Sequence, residues 1–318
     1  MVQRERSDTP SLGGVGNTAV MGVTDHRLST RQMAEFVANG FLRFDEIVPA
    51  DINTRAVAEL EQLNAGRLLA STDLDAMRPP HSGTPLDECY PEPSVIGEYL
   101  RLPQIRGIIT SLVGANPEFD HDWVHFIPSG GTHRQPLHVD ASTDTDDPTF
   151  DIQLFWFCND VEPGEGGTRF VPGSHLTRVR SAGIGRYQHI TGEQQVSCKA
   201  GTVFAFHHGL WHAGQPNPGP DRWMHKTRLN PTEPQVRLWN LDDFDAIQGR
   251  STDHIFARMQ SGSVAETLRS MPPWMSVTDY RNAQLQRALL WRYLSGDDEF
   301  DVDYYLTRLE QRAARAAV

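Results

Sequence analysis

Lysine is almost missing from this 318-residue chain: Lys199 and Lys226 are the only two, so 27 of the 29 basic residues are arginine. Positive charge is scarce altogether, with 29 basic against 41 acidic residues and a formal net charge of −12. A surface of that sign repels phosphate backbones and anionic headgroups, which sets nucleic acid and membrane aside as main partners. The arginine bias is that of a GC-rich, bacterial coding sequence, and no function attaches to it. Cysteine is scarce too. Cys89, Cys158 and Cys198 are odd in number and show no C-x-x-C spacing, which argues against a disulfide framework and suits a reducing cytosol. No apolar stretch of about 18 residues occurs, and the first residues lack the apolar centre of a signal peptide. The expectation is a soluble, cytoplasmic protein.

What is present is enough apolar sequence for a sizeable core, 38% of the chain, distributed with three periodicities. Residues 1–26 are rich in Gly, Ser, Thr and Asn without a repeat and read as a disordered tail. From 27 to 118 helical spacing prevails. Ser29-Thr30-Arg31-Gln32 is a capping box, Met33, Phe36 and Val37 form the buried face of a short helix, and Gly40 stops it. Phe41–Phe44 alternates like a strand. Helical spacing resumes at 51–69 and at 96–113, the latter broken at Pro103. Between them, 72–95 carries five prolines, and a loop of that length is a candidate lid. From 119 to 240 short apolar runs alternate with Gly, Pro, Asn and Asp, the pattern of an antiparallel β sandwich or barrel. The predicted strands are 122–128, 136–141, 150–158, 168–171, 195–198, 202–207, 210–213, 222–229 and 235–239. From 241 to 318 the chain returns to helix, at 263–270, 278–294 and 300–316, with Trp291, Leu294, Tyr304, Tyr305 and Leu309 facing the body. No repeat or linker divides residues 27–318, so a single domain is expected.

One short stretch carries chemistry. Among 13 histidines only His138 opens an H-x-D or H-x-E, with Asp140. In extended chain, residues two apart leave on the same face, so this imidazole and carboxylate can converge on one point. A third ligand is available 72 residues beyond Asp140, where His207, His208 and His212 compete. Strand parity does not separate His208 from His212. The small residues Ala213 and Gly214 favour His212, because they allow close approach. Two histidines and one carboxylate with open positions are the ligand set of non-haem Fe(II) oxygenases. Further on, Arg222, Met224, Lys226 and Arg228 share one face of a strand. An arginine inside a barrel needs an anion, and a dicarboxylate co-substrate would be one.

The order of these features resembles the phytanoyl-CoA dioxygenase family of Fe(II)/2-oxoglutarate oxygenases. Gln32–Leu42 is similar to its first helix and strand, and Pro136-Leu137-His138-Val139-Asp140 to its metal motif. Gly166–His175 is similar to its PGSH turn, and Gly201–Gly214 with Asn217 and Arg222 to its distal segment. The resemblance spans roughly residues 30–240. It implies a double-stranded β-helix, a cupin-like jelly roll that is mainly β with flanking helices. It implies His138, Asp140 and His212 as iron ligands and catalytic centre, and Arg222 as partner of the distal carboxylate of 2-oxoglutarate. Trp156 matches a position that lines the co-substrate pocket. Gly214 stands where several members carry a hydroxyl residue, so a second hydrogen bond to the co-substrate must come from elsewhere, with Thr168 or a residue of 122–135 the candidates. His175 reads as structural.

The implied reaction takes Fe(II), 2-oxoglutarate and O2 and hydroxylates a substrate with release of succinate and CO2. Desaturation and epimerisation are related outcomes. Halogenation is disfavoured, because halogenases of this fold replace the carboxylate that Asp140 retains. A jelly-roll binding protein with no activity is the alternative of another class. A CoA thioester would call for a basic rim, which this acidic chain lacks, so the expected substrate is a small metabolite or natural-product intermediate. His125, Arg134, Gln135 and Gln153 are the candidate contacts. Of the two arginines on one strand face, only one can serve. Six residues at about 3.3 Å each set Arg222 and Arg228 roughly 20 Å apart, and Arg222 follows the Asn217–Pro220 turn beside the His212 segment.

Overall fold

In the computed structural model Ser29 caps the first helix, α1 (Thr30–Asn39). Its hydroxyl accepts from the Gln32 backbone N–H at 3.3 Å, and its own N–H donates to Gln32 Oε1 at 3.0 Å. Two orphan donors are thereby satisfied reciprocally. Gly40 ends the helix at φ 78°, where a Cβ would collide with the His175 ring, and β1 (Phe41–Phe44) leaves along the sheet. The structure describes residues 25–68, 80–141, 147–177, 179, 181–187, 189–249 and 261–302.

Two antiparallel sheets follow. The larger one uses β1 with β2 (Thr84–Pro85), β3 (Glu118–Ile127), β4 (Ile152–Phe157), β7 (Thr202–His207) and β9 (Arg222–Asn230), in the order β1-β7-β4-β9-β3-β2. The smaller one is β6 (Gln194–Gln195), β5 (Arg169–Phe170) and β8 (His212–Ala213), in that order. This is a jelly-roll core, with helices laid on the outside of the larger sheet.

The central strand β4 shows how the layers are made. All six of its residues are buried, as a strand covered on both faces requires. Ile152, Leu154 and Trp156 pack with α1, α2 (Ala50–Leu68), α3 (Val95–Arg101) and α4 (Pro103–Val113). Phe155 and Phe157 point the other way, into an aromatic layer with Phe170, Phe204, Phe206 and Met224 between the sheets. Burying each such ring contributes about 1.5–3 kcal/mol. Pro103 opens α4 at its first position, where the missing N–H costs nothing. After the short α5 (Ser181–Ile184), the C-terminal part supplies α6 (Phe244–Ile247), α7 (Val264–Leu268) and α8 (Val277–Ser295). Trp291 and Leu294 of α8 join the same core as α1.

Several expectations need correction. Residues 136–141 are not a strand: only His138 pairs, in an isolated bridge to His212, and Pro136 has no N–H to extend the ladder. Residues 235–239 form no strand either. There the Gln235 side chain donates to Leu112 O and Phe150 O and accepts from Phe150 N–H, pinning an irregular segment by its amide. Of the 72–95 loop, residues 72–79 lie outside the described residues. In the remainder, Thr84–Pro85 pairs with β3, and Tyr90 is buried against Phe119 and His225 and donates to Asp122 Oδ2 at 2.5 Å. Nearly all of the tail, and the helix expected at 300–316 beyond residue 302 with Tyr304, Tyr305 and Leu309, lie outside the described residues.

Candidate metal and co-substrate site

The bridge between His138 and His212 builds the site. Each backbone N–H donates to the other's carbonyl at 3.0 Å, and directly opposed residues of an antiparallel pair project to the same side. The two imidazoles therefore sit side by side, ring centroids 4.7 Å apart. Asp140, two residues on from His138, turns to the same point. Its Oδ1 is 3.5 Å from His138 Nε2 and its Oδ2 is 3.4 Å from His212 Nε2. One ligand atom from each of the three lies within 4.8 Å of the others.

Tautomers follow from the outer contacts. His138 Nδ1 faces Pro136 O and His212 Nδ1 faces Leu210 O, both at 2.9 Å. A carbonyl only accepts, so each Nδ1 carries a hydrogen, and each Nε2 is left to face Asp140, donating to it when protonated and offering a lone pair to a metal when not. That is the second-shell arrangement by which metal-binding histidines are oriented. Burial works against the Asp140 carboxylate. Hydrogen bonds from His138 and His212, with the charges of His212 and Lys226, outweigh burial and hold it well below the usual carboxylate range. The hydrogen bond to Asp140 in turn raises His138 against its burial. A divalent cation would replace that shared proton, and the donor set fits Fe(II).

A cavity of about 480 Å³ opens from this point, lined by His138, Asp140 and His212 on one side and Arg222 on another. That volume is in the range of small-molecule sites. Arg222 is 4% exposed. It donates to the carbonyls of Glu165 and Gly166 at 2.8 Å each, and its Nε has no partner. No carboxylate pairs with it among the described residues, and burial lowers its pKa. A guanidinium held by neutral carbonyls is a receptor for an anion from outside. Gly166 makes this possible: at φ 73° its carbonyl reaches Arg222, and a Cβ would lie 1.8 Å from the Pro216 carbonyl oxygen. Arg228, on the same face, is already engaged. It pairs with Asp120 at 3.1 Å and with Asp151 through both Nε and Nη2.

The predicted contacts divide. Thr168, His125 and Gln135 line the cavity. Gln135 Oε1 also accepts from Gly214 N–H at 2.8 Å, and a Cβ at position 214 would sit 2.9 Å from that oxygen. Glycine there serves the Gln135 contact. His125 is lowered to about 3, mainly by burial and then by the charge of Lys226, so it is a neutral ring. Three residues do not join them. Trp156 points into the opposite layer, stacked on Tyr99 at 4.2 Å and donating to Asn53 Oδ1 at 2.8 Å; its neighbours Phe155 and Phe157 line the cavity instead. Arg134 is exposed and outside the lining. Gln153 is buried on the Phe155 face but does not reach the cavity, and neither of its amide atoms has a hydrogen-bond partner. His175 lies against Gly40, its Nε2 donating to Val37 O at 3.2 Å at the end of α1.

Sequence reasoning missed Lys226 as a site residue. Its ammonium donates to Asp140 Oδ2 at 2.8 Å, and it lines the cavity. The signal was there: one of two lysines in the chain, on the same strand face as Arg222.

A jelly roll that gathers two histidines and a carboxylate beside an anion-receiving arginine defines the class of non-haem iron oxygenases that take a 2-oxo acid. The chain belongs to the phytanoyl-CoA dioxygenase (PhyH) family, which matches residues 36–224, more than half of its length, and it is an oxygenase of the iron- and 2-oxoglutarate-dependent type. No curated protein matches the sequence. Among solved structures, EctD from S. alaskensis with bound Fe has 19% identity and a TM-score of 0.51, covering 66% of this chain and 79% of that one. HygX from Streptomyces hygroscopicus, with nickel and 2-oxoglutarate bound, has 16% identity and a TM-score of 0.47, covering 67% and 90%. The non-haem alpha-ketoglutarate-dependent carbocyclase SnoK from nogalamycin biosynthesis has 19% identity and a TM-score of 0.47, covering 66% and 87%. At such identities the likeness to EctD speaks for the fold. No helix among the described residues is long and apolar enough to cross a membrane.

Proposed function

We propose that the protein is a cytoplasmic hydroxylase of a small metabolite or natural-product intermediate. The observation that carries this reading is the juxtaposition in one cavity of the His138–Asp140–His212 cluster and an Arg222 that no carboxylate neutralises. Fe(II), with 2-oxoglutarate and O2 as co-substrates, would supply the oxidation and release succinate and CO2. The chain's own part is binding, orientation and exclusion of water. His138, Asp140 and His212 hold the metal through Nε2, carboxylate and Nε2. Arg222 takes the distal carboxylate of the co-substrate, and Thr168, which lines the same cavity, adds a second hydrogen bond. Phe155, Phe157 and Met224 give the cavity an apolar wall, which strengthens every charge interaction inside it. The substrate enters past Trp123 and meets His125 and Gln135.

The test is succinate formation by purified protein. It should require Fe(II), O2 and 2-oxoglutarate together and should stop with a chelator. Turnover in metal-free protein would overturn the reading.

A further inference from the structure

We propose that the substrate of this site is a monoanion, a carboxylate carried on a flat apolar body, and that Lys226 selects it. The inference rests on the oxygenase reading above and deepens it.

The charges around the cavity are out of balance. In a chain with 12 more acidic than basic residues, the described residues that line the cavity include two cations, Arg222 and Lys226, and a single carboxylate, Asp140. Asp140 belongs to the metal. Once it is bound there, the charges can be counted. The two of Fe(II), the one of Asp140, the two of 2-oxoglutarate and the one of Arg222 cancel. The charge of Lys226 is left over.

That leftover charge is not in water. Lys226 is 8% exposed. Its register neighbours are Trp123 on β3 and Phe155 on β4, its ammonium lies 5.9 Å from the Phe155 ring centroid, and His125 nearby is neutral. Among the described residues Asp140 is its one anionic partner. A buried ammonium that loses its partner's charge to a metal has a large unmet demand for an anion. A monoanion meets it; a dianion would overshoot. The body of that molecule is indicated by Trp123, which is 58% exposed while lining the cavity. An exposed indole at a mouth whose wall continues as Phe155 and Phe157 offers a face for a flat apolar group.

Metal and acid should bind in order. Without metal, Lys226 is satisfied by Asp140 at 2.8 Å and has no need of a ligand. With metal, it does. Preference for an acid should therefore appear only in the loaded protein.

The experiment uses nickel in place of iron, with 2-oxoglutarate present, and titrates phenylacetate and phenylacetamide calorimetrically. These probes share size and ring and differ in charge. We expect the acid to bind about tenfold more tightly than the amide, the worth of one charged hydrogen bond. Lys226→Met should erase the difference by weakening the acid alone, Lys226→Arg should keep part of it, and metal-free protein should show none. If the loaded wild type binds the acid no better than the amide, or binds neither, the inference is overturned. It is equally overturned if Lys226→Met keeps the preference, which would place the carboxylate on the metal. Should Lys226→Met fail to hold nickel, the comparison of loaded and metal-free wild type decides alone. Titrating 2-oxoglutarate into the same samples keeps the two hypotheses apart. Absence of metal-dependent co-substrate binding would overturn the proposed function and this inference with it, whereas intact co-substrate binding without acid preference overturns the inference only.

Discussion

Two groups of histidines crowd this fold equally, and among the described residues one of them converges with a carboxylate as a metal site requires. His138 and His212 have ring centroids 4.7 Å apart; His207 lies 4.6 Å from His208 and 4.9 Å from His175. The difference lies in what the nitrogens face. In the first pair each Nδ1–H is tied to a carbonyl of its own segment, and both Nε2 atoms aim at Asp140 beside a cavity. In the second group Nδ1 of His207 accepts from Gly209 N–H at 3.0 Å and Nδ1 of His208 from Asp151 N–H at 3.1 Å, so these lone pairs are spent on the backbone. His207 is wedged between Phe36 and Phe150, and burial lowers it far below the ordinary histidine value. His175 is lowered to about 3 for the same reason. Closeness of imidazoles does not make a metal site. Ring nitrogens converging with a carboxylate can, and this geometry favours His212 over His208, a choice strand parity left open.

The strongest way to break this comparison is to remove the rings. His138→Ala, Asp140→Ala and His212→Ala should each lose metal almost completely while the protein still folds, with Asp140→Ala the least stable of the three in metal-free form because it strips the buried Lys226 ammonium of its anionic partner. His207→Ala should keep its metal and lose about 3 kcal/mol of stability, as truncation of a fully buried aromatic ring does. Metal analysis alongside thermal melts reads both. Metal lost from His208→Ala and kept by His212→Ala would reverse the assignment.

The two arginines of β9 sharpen the same point for anions. Arg222 faces carbonyls and cavity, whereas Arg228 faces Asp120 and Asp151. Arg222→Ala should weaken 2-oxoglutarate binding by about 2–5 kcal/mol, thirtyfold or more, with metal retained. Arg228→Ala should leave affinity nearly unchanged and lower stability, since two carboxylates lose their partner. Anaerobic titration of the Fe(II) forms gives the ranking, and the opposite order would move the co-substrate to Arg228.

Acid separates the histidine groups by stability. His175 and His207 are neutral when folded to well below the value of about 6.5 they take when unfolded. Above pH 6.5 neither state is charged and the folded protein has its full stability. As pH falls from there towards about 3, the unfolded chain gains protons that the folded one refuses, and stability declines. Each such histidine contributes up to about 1.4 kcal/mol per pH unit. Urea midpoints between pH 7.5 and 5 should therefore fall less steeply in His207→Phe than in wild type. An unchanged slope would mean that His207 does take a proton in the fold.

What was legible in the sequence was local. The capping box of α1, the break at Pro103 and the strands 202–207 and 222–229 rest on neighbours within a few residues, and the structure has them within a residue or so. His138 and Asp140 were legible because their spacing alone puts them on one side. The strand expected at 136–141 failed because only one of its residues finds a partner, 74 positions away at His212, and nothing local reports that. Lys226 escaped for the same reason: its partner Asp140 is 86 residues distant.

Trp156 is the instructive error, and it supplies the smallest effect. The run Ile152–Phe157 is apolar throughout, so alternation cannot tell which half faces the helices. The structure decides by hydrogen bonding: Trp156 Nε1–H reaches Asn53 Oδ1, whose amide in turn donates to Val48 O, within the helical layer. Trp156→Phe keeps a ring stacked on Tyr99 and leaves one buried acceptor without its donor. The expected cost is about 1–3 kcal/mol of stability, with 2-oxoglutarate affinity unchanged. Phe155→Ala, one position back, removes a ring 5.6 Å from His212 and part of the cavity wall. It should weaken 2-oxoglutarate binding even after correction for lost stability. Measuring both affinities in the metal-loaded variants reads the orientation of β4 directly. If Trp156→Phe weakens the co-substrate and Phe155→Ala does not, the strand faces the other way and the cavity wall is misassigned.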